Sequence, residues 1–337
     1  MRVRRRVMDE GPRTSRPLDS TRKDKGERRM DKIERVQAAL QGESVDRVPA
    51  SFWFHFPADQ VAGHAMAMAH LNTYRAADPD FLKVMNDNGY ALTGIDEIRS
   101  PADWRKLKPA PLLSRPYQDQ LDGLREIADE VGDEVLLITT VFNPYSTGND
   151  ISGRKVTEHL KADPESVAIG LSAIAESMAE FSCACIEAGA AGIYFSAQGG
   201  EVDRFAAEEF ETYIKPYDLV VLQAAEKAGA TFNVLHICGH RLRLEAYADY
   251  PGHAVNWAPQ QDNLSLSEGR PLFRRTIIGG VDQRGPIVGG SRQEIAAEVQ
   301  GAIAEMGKTG FMVGAGCTVP SDIRIEHLVW ARQAVIA

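Results

Sequence analysis

At 337 residues with 44% hydrophobic content, the chain can bury a large core, as one large α/β domain or two smaller ones. A net charge of −9 argues against a nucleic-acid partner, and four cysteines are too sparse for a disulfide framework, which points to a reducing cytoplasmic setting and to reactive or metal-bound thiols. No apolar run reads as long enough to span a bilayer, and nothing resembles a secretory leader.

The charge is unevenly spread. Residues 1–29 carry eleven Lys and Arg against five Asp and Glu, which leaves −15 on the remainder. This stretch has almost no apolar periodicity and is expected to be a disordered basic extension. A transit peptide or a nucleic-acid arm would be alternatives. The folded pattern begins directly after Met30, which favours an upstream extension followed by one domain over residues 30–337.

From Asp31 the chain alternates helical and extended patterns. DKIERVQAALQ is amphipathic, with Ile33, Val36, Ala39 and Leu40 on one face and Gly42 as a stop. RVPASFWFHF reads as a strand ending in aromatics and His55. A helix around Met66–Ala77 leads into a helix–strand passage over DPDFLKVMNDNGYAL, and His64 and His70 are expected on a lid or helix surface. Val135–Phe142 is a buried strand, followed by a loop NPYSTGND. A helix over Ile169–Ala188, carrying Cys183 and Cys185 as core residues, precedes the strand GIYFSAQ. A helix over Ala207–Lys227 precedes TFNVLHIC. AVNWAP, TIIGGVD and FMVGAGC complete the strands, with a helix over Arg292–Met306 between the last two. Strands separated by helices imply a parallel sheet, and about eight of them suit a closed (β/α)8 TIM-like barrel; a doubly wound open sheet is the alternative.

The chemistry-bearing residues collect at strand ends. His236 and Cys238 stand at i and i+2 of an extended run, so both side chains face one way, and Cys317 ends another run. Two thiolates and an imidazole suit zinc and leave a fourth position open for water or substrate. The plain alternative is a buried histidine and two core cysteines. His55, Ser196, Gln198, Asn256, Trp257 and Asp282 also fall at strand ends. The glycine pairs Gly199-Gly200 and Gly289-Gly290 lack phosphate-loop spacing.

The segments RVQAALQGESVDRVP, EAGAAGIYFSAQGG, EEFETYIKPY, LHICGH, GGVDQRGPIVGG and GCTVPSDIRIEHL, in that order, give the chain from Met30 onward its likeness: it resembles the uroporphyrinogen decarboxylase superfamily, whose members are single (β/α)8 barrels. The decarboxylases resemble one another in an arginine-rich motif after the first strand. Here that stretch, VPASFWFHFPADQ, has no arginine, and their Gly-His-Gly is replaced by Gly314-Ala315-Gly316-Cys317. A substrate with many carboxylates needs several cationic partners in its cleft. The branch it resembles in motif is that of the zinc-dependent methylcobamide:coenzyme M-type methyltransferases, whose His-x-Cys and distant Gly-Cys fall on His236, Cys238 and Cys317.

The resemblance implies a zinc enzyme that exchanges a methyl group between a thiol, or a methoxy compound, and a corrinoid carried on a separate protein, acting on a small-molecule substrate away from any membrane. His55, Gln198 and Asp282 are the catalytic candidates, Asp282 as a partner for the metal-bound imidazole. Trp53, Ser196, Asn256 and Trp257 form the substrate-binding set, and His240 is given a loop role rather than a fourth ligand position. Barrels of this kind often pair, so a homodimer is an open expectation. Two other readings stay open: a metal-free decarboxylase of tetrapyrrole metabolism, which would need arginines such as Arg204, Arg241, Arg243 and Arg284 to converge, and a non-catalytic tetrapyrrole or corrinoid carrier.

Overall fold

Seven parallel strands form one sheet in simple chain order: β1 (Phe81–Val84), β2 (Leu136–Phe142), β3 (Gly192–Ala197), β4 (Val234–Ile237), β5 (Ala254–Asn256), β6 (Thr276–Val281) and β7 (Phe311–Ala315). This computed structural model describes residues 29–336, so the extension expected over residues 1–29 lies, apart from Arg29, outside the described residues. Parallel neighbours need long crossovers, and helices supply them, among them Arg115–Val131, Pro164–Glu187, Lys215–Lys227 and Arg292–Met306. The strands are buried on both faces, which is why they read as near-continuous apolar runs.

The expected strand through His55 is not one of the seven. Its backbone nevertheless runs beside β7: the Val313 N–H donates to the Pro49 carbonyl at 2.8 Å, and the Ser51 N–H donates to the Val313 carbonyl at 3.1 Å. On its other side the Asp80 N–H, just before β1, donates to the Ala50 carbonyl at 2.9 Å. The segment therefore touches both edges of the sheet, through isolated bridges at Val313 and Val319 on one side and that single hydrogen bond on the other. Pro49 has no N–H to extend a ladder. The architecture is a TIM-like α/β fold.

Alternation along the strands sorts the core into two layers. Phe81, Ile138, Tyr194, Val234, Ala254, Ile278 and Met312, one from each strand, pack with Trp53 and Phe232 inside the curl. Their neighbours, such as Leu82, Leu137, Ile193, Leu235 and Ile277, face the helices.

Three expectations need correction. NPYSTGND is the helix Pro144–Ile151, not a loop: Asn143 caps it by accepting from the Ser146 N–H at 2.9 Å, and Pro144 suits the first turn. The expected helix over residues 207–227 is two, Ala207–Tyr213 and Lys215–Lys227. Pro216 cannot donate back to the preceding turn, and the break falls at Ile214. The helix Pro164–Glu187 is, by length and composition alone, long and apolar enough to cross a membrane. In the fold, 61% of its most apolar window is buried, against Lys215–Lys227 and Pro101–Lys106.

At the amino-terminal end of β1, Asp80 is fully buried. Its Oδ1 accepts from Arg35 at 2.9 Å and Arg47 at 2.7 Å; its Oδ2 accepts from Arg47 at 2.6 Å and the Ala50 N–H at 2.9 Å. Arg332, from the helix Ile325–Ala334, lies 3.5 Å from the same oxygen and donates to the Asp78 carbonyl at 2.8 Å.

Candidate metal centre

One row of the parallel register carries Ser196, His236 and Asn256 across β3, β4 and β5, on the face that lines the inside of the curl. Cys238 follows two residues after His236, with its N–H still bonded to the Ala197 carbonyl at 2.9 Å. The chain then turns at Gly239, whose φ of 139° is a glycine conformation. Cys317 comes from the other side, just past β7. The loop reaches inward because Gly316 lies flat on Ala258 and Gln283; a Cβ there would sit 2.7 Å from the Ala258 Cα.

The three side chains converge. Their ligand atoms all lie within 4.8 Å of one another, and His236 Nε2 stands 3.6 Å from Cys317 Sγ. For Zn–S near 2.3 Å and Zn–N near 2.0–2.1 Å, the edge of a tetrahedron is about 3.6 Å, so this separation fits one ion between the two atoms. His236 is buried, whereas the cysteines are only partly covered, which leaves an open side. The Cys317 thiol is held well below the usual thiol range by the hydrogen bond from Cys238 and by His236. The Cys238 thiol is pushed up by the same bond and by burial.

Around the centre, Tyr194 stacks on the His236 ring at 5.1 Å, and its hydroxyl donates to Asn256 Oδ1 at 2.8 Å. Asn256 Nδ2 donates to the carbonyls of Ile278 at 2.9 Å and Ala315 at 3.1 Å, so this amide braces β5, β6 and β7. Trp53 packs edge-on to Tyr194 at 5.2 Å. Lys83 of β1 is buried beside both rings; burial pushes its amine down to about 7, while Cys317, Asp87 and Cys238 pull it back up. Buried His236 Nδ1 finds no hydrogen-bond partner among the described residues.

The other sequence candidates sit as follows. Ser196 is buried in the His236 row. Gln198 is half-buried at the end of β3, and its carbonyl accepts from Asn143 Nδ2 at 3.0 Å. The Asp282 carboxylate accepts from the Arg284 N–H at 2.9 Å and makes no hydrogen bond to His236; it shapes the turn after β6. Trp257 is fully buried, donates to the Leu264 carbonyl at 2.9 Å and packs on Phe273, in the outer layer. His55 pairs with Asp87 at 2.6 Å and is half-exposed at the rim. His240 is exposed and outside the cluster. His70, expected on a surface, is buried: its Nδ1–H donates to the Met66 carbonyl at 2.8 Å and its Nε2 accepts from the Met85 N–H at 2.9 Å.

Lys83, Tyr194 and Gln283 escaped the sequence reading. Lys83 had a signal, a lone charge inside the apolar run FLKV. Gln283 is buried with Oε1 unpartnered among the described residues, directly beside Gly316. A cavity of about 250 Å³ opens at the ends of β1 and β2, lined by Asp87, Tyr90, Tyr117, Phe142, Asp150 and Met178, and not by the three ligands.

Comparison with known proteins decides the family. The uroporphyrinogen decarboxylase (URO-D) family model matches residues 93–337. The chain belongs to the uroporphyrinogen decarboxylase family. Among the relatives of this uroporphyrinogen decarboxylase family member is the methylcobamide:CoM methyltransferase MtbA of Methanosarcina acetivorans, 21% identical over 86% of this chain and 92% of the relative. A methyltransferase from Methanosarcina mazei shares the fold, with a TM-score of 0.76 at 19% identity over 90% of this chain and 98% of that one. A B12-independent methionine synthase from Shewanella sp. W3-18-1 aligns with a TM-score of 0.59 at 10% identity, over 86% and 97% of the two chains. The relatives named here are therefore methyltransferases within the uroporphyrinogen decarboxylase fold rather than decarboxylases.

Proposed function

We propose that the chain is a zinc-dependent methyltransferase that activates a small thiol for methyl exchange with a corrinoid delivered by a separate protein. The observation that carries this reading is the convergence of His236, Cys238 and Cys317 at the ends of β4 and β7, with one side of the cluster open. Zinc bound there would act as a Lewis acid that holds a substrate sulfur as its thiolate at neutral pH. His236 and the two cysteines would be the protein ligands. Tyr194, stacked on the imidazole and tied through Asn256 to β6 and β7, fixes the ring's orientation. Ser196 and Trp53 wall the space beside it.

A corrinoid partner is supported by the methylcobamide in the name of the Methanosarcina acetivorans relative. A barrel over residues 30–337, closed by the Pro49–Phe54 segment as its eighth strand, and a cytoplasmic setting consistent with four free thiols complete the proposal. The arginines named for the decarboxylase alternative are dispersed: Arg204 is held by Glu201 at 2.7 Å and Arg241 by Asp203 at 3.3 Å, Arg284 is exposed, and Arg243 bonds the Phe205 carbonyl at 3.1 Å with its Nη1 unpartnered among the described residues.

The test is elemental analysis of protein purified without chelators, beside Cys317→Ser, followed by visible absorbance of methylcobalamin mixed with a thiol. About one zinc per chain in the parent, lost in the variant, and thiol-dependent demethylation of the cobalamin are expected. No metal in either protein would overturn the reading.

A further inference from the structure

Most of the buried charge in this molecule is paired, Asp80 by three arginines and Glu201 by Arg204. Lys83 is different. It is 3% exposed, and among the described residues no carboxylate lies within salt-bridge distance of it. Its Nζ has one hydrogen-bond acceptor, the Met85 sulfur at 2.9 Å, and a thioether is a weak one. The remaining contacts are the ring faces of Tyr194 at 4.3 Å and Trp53 at 5.5 Å. Such contacts return less than the desolvation of an ammonium costs. An amine held so incompletely, and pushed down to about 7 by burial, carries its full charge only when an anion stands near it.

Geometry ties Lys83 to the cluster: its Nζ lies 4.3 Å from the centre of the Tyr194 ring, and that ring stacks on His236 at 5.1 Å. Charge counting then gives it a role. Two cysteine thiolates and a neutral imidazole balance a divalent ion; a third, substrate thiolate leaves one negative charge in a low-dielectric lumen, where it is costly. We propose that Lys83 is the counter-cation of the thiol-loaded centre, a positioning residue whose ammonium compensates the charge that a substrate thiolate brings. This inference rests on the zinc–thiol reading above. In the step concerned the substrate S–H bond breaks heterolytically, the sulfur keeps the electron pair, and the proton leaves to solvent; nothing is oxidised or reduced.

The experiment uses cobalt-substituted full-length protein, wild type and Lys83→Met, with Lys83→Gln as a second variant should the first fail to fold. Growth of the thiolate-to-cobalt absorption is followed during titration with neutral 2-mercaptoethanol and with anionic 3-mercaptopropionate. Stoichiometric cobalt in all proteins, an unchanged or higher melting temperature, and at least tenfold weaker binding of both thiols in the variants are expected. Equal thiol affinity in wild type and variant would overturn the lysine proposal alone. A loss confined to 3-mercaptopropionate would also overturn it, by making Lys83 a tail-binding residue. A wild type that takes up no metal would bring down the zinc reading and this inference together.

Discussion

Asp80 and Lys83 lie three residues apart at the two ends of one short strand, and both are buried, yet their surroundings are opposite. Around Asp80 both carboxylate oxygens are occupied by arginines and a backbone N–H. Around Lys83 there is a thioether and two ring faces, and the neighbouring His236 Nδ1 has no partner among the described residues. In barrels of this type the amino-terminal face serves stability and the carboxyl-terminal face serves chemistry. Here the contrast can be read residue by residue: satisfied charge at one end, charge awaiting a ligand at the other.

The sharpest break of that comparison comes from the upper end. Cys317→Ser should reduce methyl transfer to background and remove the metal, while the melting temperature of metal-free protein hardly moves; activity assay, elemental analysis and calorimetry check the three parts. At the lower end the pattern should invert. Asp80→Asn leaves Arg35, Arg47 and Arg332 without their shared anion and should cost about 3–5 kcal/mol in chemical denaturation, with zinc content intact. An Asp80→Asn protein that lost its metal but kept its stability would contradict the division of labour.

Acid should act on both sides of the strand in sequence. Burial pushes His70 down to about 4 from an ordinary 6.5, so it stays neutral in the fold while the unfolded chain takes up a proton. Its contribution is present above pH 6.5 and is lost as the pH falls through about 4. Burial alone would raise Asp46, but the hydrogen bond and charge of Arg35 hold it at about 2, so its contribution is lost only below the ordinary carboxylate range. Stability curves from pH 7 to about 2 should therefore fall in two stages, and His70→Gln should flatten the first. The smallest effect is expected at the rim: the half-exposed His55–Asp87 pair should be worth under about 1 kcal/mol, and His55→Gln should change kcat by no more than a few-fold.

The ligand set was legible because i,i+2 spacing on an extended run puts His236 and Cys238 on one face whatever the tertiary context. The crossover pattern was legible for the same local reasons. What escaped depends on neighbours far along the chain. Asn256 looks like a strand-end substrate group, and only the approach of β6 and β7 turns its amide into a brace. His70 reads as a surface residue until Met85 at the end of β1 packs onto it. The first expected strand failed as a regular one because Pro49 and the sheet's two edges permit bridges but no continuous ladder.

The Arg332 contact with Asp78 spans 254 positions, so the lower ion cluster is closed by a residue far along the chain from its anion. During synthesis, β1 and Asp80 emerge long before their last cationic partner exists. Until the helix that carries Arg332 is made, the first strand holds its buried anion with that partner missing. The lower ion cluster is therefore completed only once the helix Ile325–Ala334 has packed against it, which makes that helix its latch.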